Sequence, residues 1–258
     1  MIRIGILDIS GEGEGFFCEA LKSSLFAVDT KIKNEKRRAE SILARLLLKE
    51  MYKEFSPLAL PMISIGENGK PYFTYSGENF VENGEEPHTR VENNEDARIF
   101  FNISHDSSLI AVAMSDSAEV GIDIQSIGEN MCSREKIEQR LFFALRESDF
   151  YFSRAGADED LGDVKIKRYR IEKDSEQCLI KPDVQISLFS SDEVDLADAD
   201  MEFLFSWTNL EALMKMSGEG FSAVNKITQL LSRAKISSGF LRDDAGKVYC
   251  LTVAQERN

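Results

Sequence analysis

Between Ile99 and Ile124 the chain reads as three short apolar runs parted by tight polar connections: Ile99-Phe100-Phe101-Asn102-Ile103, Leu109-Ile110-Ala111-Val112-Ala113-Met114 and Val120-Gly121-Ile122-Asp123-Ile124. Parallel strands need crossovers of a dozen residues or more, so connections this short predict an antiparallel meander. On that reading Ser104, His105 and Asp106 lie in a turn. The opening IRIGILDI is rich in β-branched residues and breaks at Gly11-Glu12-Gly13-Glu14-Gly15. It reads as a first strand and a turn, and not as a secretory signal. A dinucleotide-binding loop is a poor fit there, because Phe16 stands where the third glycine is needed and Glu12 and Glu14 would face a pyrophosphate.

Residues 33–54 place Ile42, Leu43, Leu46, Leu47 and Met51 at helical spacing, with Lys36, Arg37, Arg38 and Arg45 elsewhere around the barrel. Residues 134–152 and 206–217 predict two more helices, the last ending near Gly218 and Gly220. From Pro57 to Glu95 the text is loop-like. Stretches 155–163 and 192–200 are acidic, while Val164–Lys167 and Val184–Leu188 alternate like strands, which predicts an inserted hairpin with mobile acidic flanks. Gly239–Leu241 and Lys247–Val253 flank Asp243-Asp244-Ala245-Gly246 and predict a closing hairpin. Each half thus holds a helix and antiparallel strands. The expectation is an α+β chain of two lobes with a cleft between them, residues 1–115 and 116–258, the second carrying an insertion at about 155–200. IGILDI and VGIDI are too short to establish a repeat.

Charge and residue inventory narrow the chemistry. Thirty-one Lys+Arg against 45 Asp+Glu give a net charge of −14, which argues against a nucleic-acid partner. An anionic small ligand would need a local cluster of cations and backbone amides. Cys18, Cys132, Cys178 and Cys250 never form a CxxC pair, so neither a disulfide framework nor a thiolate zinc site is signalled and a reducing, cytoplasmic compartment is expected. No apolar run is long enough to span a bilayer. His88 and His105 are the only histidines, so any metal should be held mainly by oxygen.

Asp123 and Gln125, two apart in a strand, leave the same face. Glu211 and Lys215, four apart in a helix, also share a face. Should the two faces meet across a cleft, Asp123, Gln125 and Glu211 supply the hard oxygens Mg²⁺ prefers, with Lys215 placed to neutralise or protonate a phosphate leaving group. Each feature has a plainer explanation: a strand-closing aspartate is most often a turn residue, and a Glu–Lys pair at i,i+4 supports a surface helix. Gly69-Lys70-Pro71 lacks the spacing of a Walker loop and is by itself a turn with a lysine. His105 beside Asp106 suits a turn, and GxSxG is absent. Trp207 reads as a core anchor of its helix.

The order of these features carries more than any one of them. Gly69-Lys70-Pro71, then Asn102-Ile103-Ser104-His105, then Val120–Gln125, then Phe205–Lys215 followed by Gly218 resembles the Sfp-type 4′-phosphopantetheinyl transferases. The basic helix before residue 69 and Gln139–Glu147 resemble further segments of that family, and residues 155–200 fall outside the likeness. The resemblance implies a pseudo-dimeric α+β fold binding coenzyme A between its halves. It implies Mg²⁺-dependent transfer of the phosphopantetheine arm to a serine of an apo acyl or peptidyl carrier protein, by a monomer. It further implies that Lys70, Ser104 and His105 contact phosphates, that Asp123 and Glu211 hold the metal, that Lys215 assists the leaving phosphate and that Glu211 is the base. The chain departs from the pattern at Gln125, where a glutamate is usual, and at Leu210, where a lysine is usual. The resemblance also implies a basic surface for an acidic carrier, for which Lys165–Arg170 is the candidate. Two other functions are compatible with the residues, a non-catalytic coenzyme- or carrier-binding module and a generic Mg²⁺ phosphohydrolase.

Overall fold

The computed structural model describes residues 1–11, 33–75, 98–127, 164–174, 177–190, 193–194 and 198–257. The helix expected at 134–152, the acidic stretch 155–163, His88 and the turn beyond Gly11 lie outside them. The chain is mixed α+β.

Strand β1 (Ile2–Asp8) pairs with β5 (Leu109–Ser115), and β5 with β4 (Phe100–Asp106), all antiparallel. Helix α1 (Glu35–Tyr52) begins where the Asn34 side chain accepts the Arg37 amide at 3.0 Å, which satisfies one of the donors a helix start leaves unpaired. Its 3.6-residue stripe of Leu43, Leu47, Leu48 and Met51 is buried against Leu7, Ile110, Val112 and Met114. Each such side chain contributes about 1.5–3 kcal/mol on leaving water. Period-two alternation sends Ile2, Ile4 and Ile6 to the opposite face, where they meet Val120, Ile122 and Ile124 of β6 (Val120–Ser126) and Leu251 and Val253 of β10 (Val248–Glu256). Strand β10 lies between β6 and β9 (Ala234–Arg242), again antiparallel. Helix α2 (Asp198–Ser217) covers the outer face of this second sheet.

The layers therefore run α1, first sheet, second sheet, α2. Strand order β1-β5-β4 in the first sheet corresponds to β6-β10-β9 in the second, each with its long helix on the outside. The short 3₁₀ segment Gly220–Lys226 and α3 (Ile227–Arg233) follow α2, which ends as expected with Gly218 at φ +71°.

The meander expected over residues 99–124 is correct for two strands and wrong for the third. Strand β6 crosses to the second sheet and pairs with β10. Strand β4 also runs through Ser104, His105 and Asp106, and the turn is Ser107-Ser108. Polar side chains at every second position explain both corrections. Asn102, Ser104 and Asp106 accept the Ile122, Ile124 and Ser126 amides at 3.3, 3.3 and 2.5 Å, so the open edge of β6 is capped by side chains in place of a backbone ladder. Asn102→Ala should speed hydrogen exchange at the Ile122 amide about tenfold, with the β10-paired Asp123 amide unchanged.

Strands β7 (Val164–Asp174) and β8 (Gln177–Ile186) form the expected hairpin, but it does not stand apart. It joins the first sheet, with β7 parallel to β1, so that sheet is not wholly antiparallel. The long connection from β1 makes a parallel pairing possible. Pro182 is accommodated because β8 is an edge strand and a register shift lies beside it, between Lys167 and Tyr169. The loop-like region after Pro57 contains a small hairpin, β2 (Met62–Ile65) and β3 (Pro71–Thr74), whose turn carries Gly69 at φ +85°.

Candidate functional site

Asp123 and Lys215 meet. Asp123 faces away from the apolar seam between the sheets, toward α2, and Lys215 Nζ lies 2.6 Å from Asp123 Oδ1. This approach depends on Gly121, whose bare Cα lets the α2 backbone at Ala212 and Met216 lie directly on β6. Ser104 reaches round the β6 edge to complete the cluster. Its hydroxyl donates to Asp123 Oδ1 at 3.0 Å and accepts from Lys215 Nζ at 3.0 Å and from the Ile124 amide, which uses its one proton and both lone pairs. Gln125, on the same face as Asp123, donates its amide to Asp123 Oδ2 at 3.0 Å. A carboxylate on a side chain only 2% exposed is thus held by one cation and two neutral donors.

A cavity of about 220 Å³ adjoins this cluster, lined by Lys70, Asn102, Glu211, Met214, Lys215 and Gly218 among others. Glu211 sits one turn before Lys215 on α2, partly buried. Lys70 projects from the β2–β3 turn across to the end of α2, where its Nζ donates to the Met216 carbonyl at 2.6 Å and pairs with Glu119 at 2.5 Å. A cation there also complements the negative end of the helix.

The structure separates His105 from this group. Alternation along β4 turns it to the α1 face, half-exposed, with Nδ1 3.9 Å from the buried Glu40 carboxylate. Leu210 is buried in the α2 core, so the position where the resembled family carries lysine serves packing here. Trp207 is a core anchor, as expected. Of the cations in Lys165–Arg170, three are paired within the chain: Lys167 with Glu54, Arg168 with Asp244 and Arg170 with Glu172.

Asn102 and Glu119 join the site although the sequence assigns a role to neither. The signal for Asn102 is the polar stripe Asn102, Ser104, Asp106 at period two in an otherwise apolar run. Glu119 gives none, since its role depends on the position of Lys70. Behind the site, Thr252, the β10 partner of Asp123, donates to Thr208 at 2.8 Å, and Ser238 donates to Asn209 at 2.8 Å, which fixes α2 on the second sheet. Burial pushes the neighbouring Cys250 thiol up to about 12, so it remains protonated and unreactive at neutral pH.

The oxygen donors of Asp123, Gln125 and Glu211 are of the kind a hard divalent cation takes. Among the described residues no group of three His, Cys, Asp or Glu stands close enough to hold a metal, so a cation here would complete its shell with amide, water or ligand oxygens. No helix among the described residues is long and apolar enough to cross a membrane. No protein-family model matches the chain, and no curated protein matches it.

Proposed function

We propose that the chain is a 4′-phosphopantetheinyl transferase of pseudo-dimeric fold, moving the phosphopantetheine arm of coenzyme A to a serine hydroxyl of an apo carrier protein. The observation that carries the reading is the convergence of four sequence-distant motifs, through Lys70, Ser104, Asp123 and the Glu211–Lys215 turn, on one cluster and its adjoining cavity. The matching strand orders of the two sheets support the pseudo-dimer.

In the proposed reaction the serine oxygen forms a bond to the β-phosphorus of the coenzyme pyrophosphate as the bond to the bridging oxygen breaks. Glu211 takes the serine proton, directly or through water, and adenosine 3′,5′-bisphosphate departs. Lys215 turns from Asp123 to the leaving α-phosphate, and Lys70 pairs with a phosphate from the opposite wall. Asp123 and Glu211, with Gln125 as a secondary ligand, would hold Mg²⁺, which would supply charge neutralisation on the pyrophosphate. Phosphoryl transfer of this kind needs positioning and charge stabilisation more than covalent help.

Incubating the full chain with apo carrier protein, coenzyme A and Mg²⁺ should add the mass of the arm to the carrier, and chelator or Glu211→Ala should abolish the gain. Asp123→Ala is expected to lower kcat/KM by about 10²–10³-fold and Gln125→Ala by less than about tenfold. Equal losses would remove Gln125 from its secondary role. One observation favours a second reading: Asp123 is already satisfied by Lys215, Ser104 and Gln125, as suits a non-catalytic module. Coenzyme binding without modification of any carrier would select it, and hydrolysis without a carrier would point to a phosphohydrolase.

A further inference from the structure

The α1-facing side of the first sheet carries charges that the site above does not use. Strands β1 and β7 set Arg3 opposite Lys165 and Gly5 opposite Lys167, so alternation brings three cations onto one face. Like charges directly opposite one another destabilise a sheet, and a chain of net charge −14 has carboxylates to spare for them. Yet among the described residues the cavity beside these cations is lined by one carboxylate, Glu54, just past the end of α1. Arg3 Nη1, Lys167 Nζ at 2.6 Å and the Tyr169 hydroxyl at 3.2 Å all converge on it. Glu50, one turn back, is turned to Lys53.

Burial pushes the Glu54 carboxyl up, but the hydrogen bond and charge of Lys167, with the charge of Arg3, outweigh it and hold the group below the usual carboxylate range. Glu54 is therefore ionised, and among the described residues lining the cavity three cations face one carboxylate, a surplus of two positive charges. Arg3 is fixed over the Phe55 ring at 5.4 Å, and its Nε is buried without an acceptor. Lys165 is exposed and pairs with no carboxylate among the described residues.

We propose that this cavity, about 240 Å³ and lined by Arg3, Glu54, Lys165, Lys167, Tyr169 and Gln185, binds a small dianion of the phosphate or sulfate class, free or as the head of a small monoester. The charge surplus matches a dianion, and the guanidinium and ammonium donors match its oxygens. The cavity is separate from the proposed catalytic centre, because it lies on the other face of the first sheet from the second sheet and Asp123.

The test is calorimetric titration of the full chain with inorganic phosphate, and in a second arm with glycerol 3-phosphate, with sodium chloride as the ionic-strength control. Saturable binding is expected, weakened about tenfold by Lys165→Gln, a change at an exposed side chain that leaves the core untouched, and this Lys165-dependent component should persist in the Lys70→Gln background. Tighter binding of the monoester would identify an organic phosphate as the ligand, and binding of phosphate alone a free anion; both support the site. Heats equal to those of chloride, or binding sensitive to Lys70→Gln but not to Lys165→Gln, would overturn it.

Discussion

Lys215→Met should destabilise the protein by about 3–4 kcal/mol, close to the low end of what breaking a buried ion pair costs, while Asp123→Asn should cost only about 1 kcal/mol. The asymmetry follows from where the two partners lie. The Asp123 side chain is 2% exposed, so removing its cation leaves a charge with no route to water. Ser104 and Gln125 still donate to it, but neither carries a compensating charge. The Lys215 side chain is 27% exposed and flexible, so when Asp123 loses its charge the ammonium can turn toward solvent. An asparagine at 123 also retains an oxygen for Lys215 and Ser104, and its amide can pair with Gln125 once that side chain flips. The double variant Asp123→Asn/Lys215→Met should therefore be more stable than Lys215→Met alone, and a double-mutant cycle from urea denaturation reads the coupling directly. Should Lys215→Met cost no more than Asp123→Asn, the pair is not the buried electrostatic centre described here.

This pair was half legible in the sequence. The spacings placed Asp123 with Gln125 on one strand face and Glu211 with Lys215 on one helix face, because those periods follow from local geometry alone. That the two faces meet depends on Gly121, which a sequence reads as a weak strand position and which the fold uses for close helix contact. The course of β6 was hidden for a related reason. Its apolar run suits any buried strand, and what directs it away from β5 is the side-chain cap from Asn102, Ser104 and Asp106, a non-local pairing. The same cap carried β4 beyond its expected end and turned His105 toward α1. Helix α1 was clear because eighteen residues give several turns of period to read. Strands β2 and β3, at four residues each, give almost none. The β7–β8 hairpin was recognisable from alternation, but its parallel docking on β1 is a tertiary choice that alternation does not encode.

Gly121→Ala should be among the most damaging single-methyl additions the chain can receive, lowering stability by about 3 kcal/mol. A methyl at this position would lie 2.0 Å from the Ala212 carbonyl oxygen and 2.5 Å from the Met216 nitrogen. Both are backbone atoms inside α2, so no rotamer change relieves the overlap and the helix must move away from β6. Other close-packed glycines give a contrast. At Gly5 the nearest atom is the Met51 sulfur at 2.4 Å, and at Gly239 it is Leu188 Cβ at 2.7 Å. The Met51 sulfur is near the far end of a flexible side chain and can rotate away, so alanine at Gly5 should cost about 1–2 kcal/mol, whereas Leu188 Cβ is fixed by its own backbone, so alanine at Gly239 should cost about 2–3 kcal/mol through a shift of the segment that carries Leu188. Urea midpoints of the three variants, with unchanged m-values, give the comparison. Moving α2 outward also draws Lys215 from Asp123, so Gly121→Ala should lose the coupling measured in the Asp123–Lys215 cycle, whereas Gly239→Ala should keep it. Equal destabilisation by all three, with the coupling intact, would mean that the site does not depend on how closely α2 approaches β6.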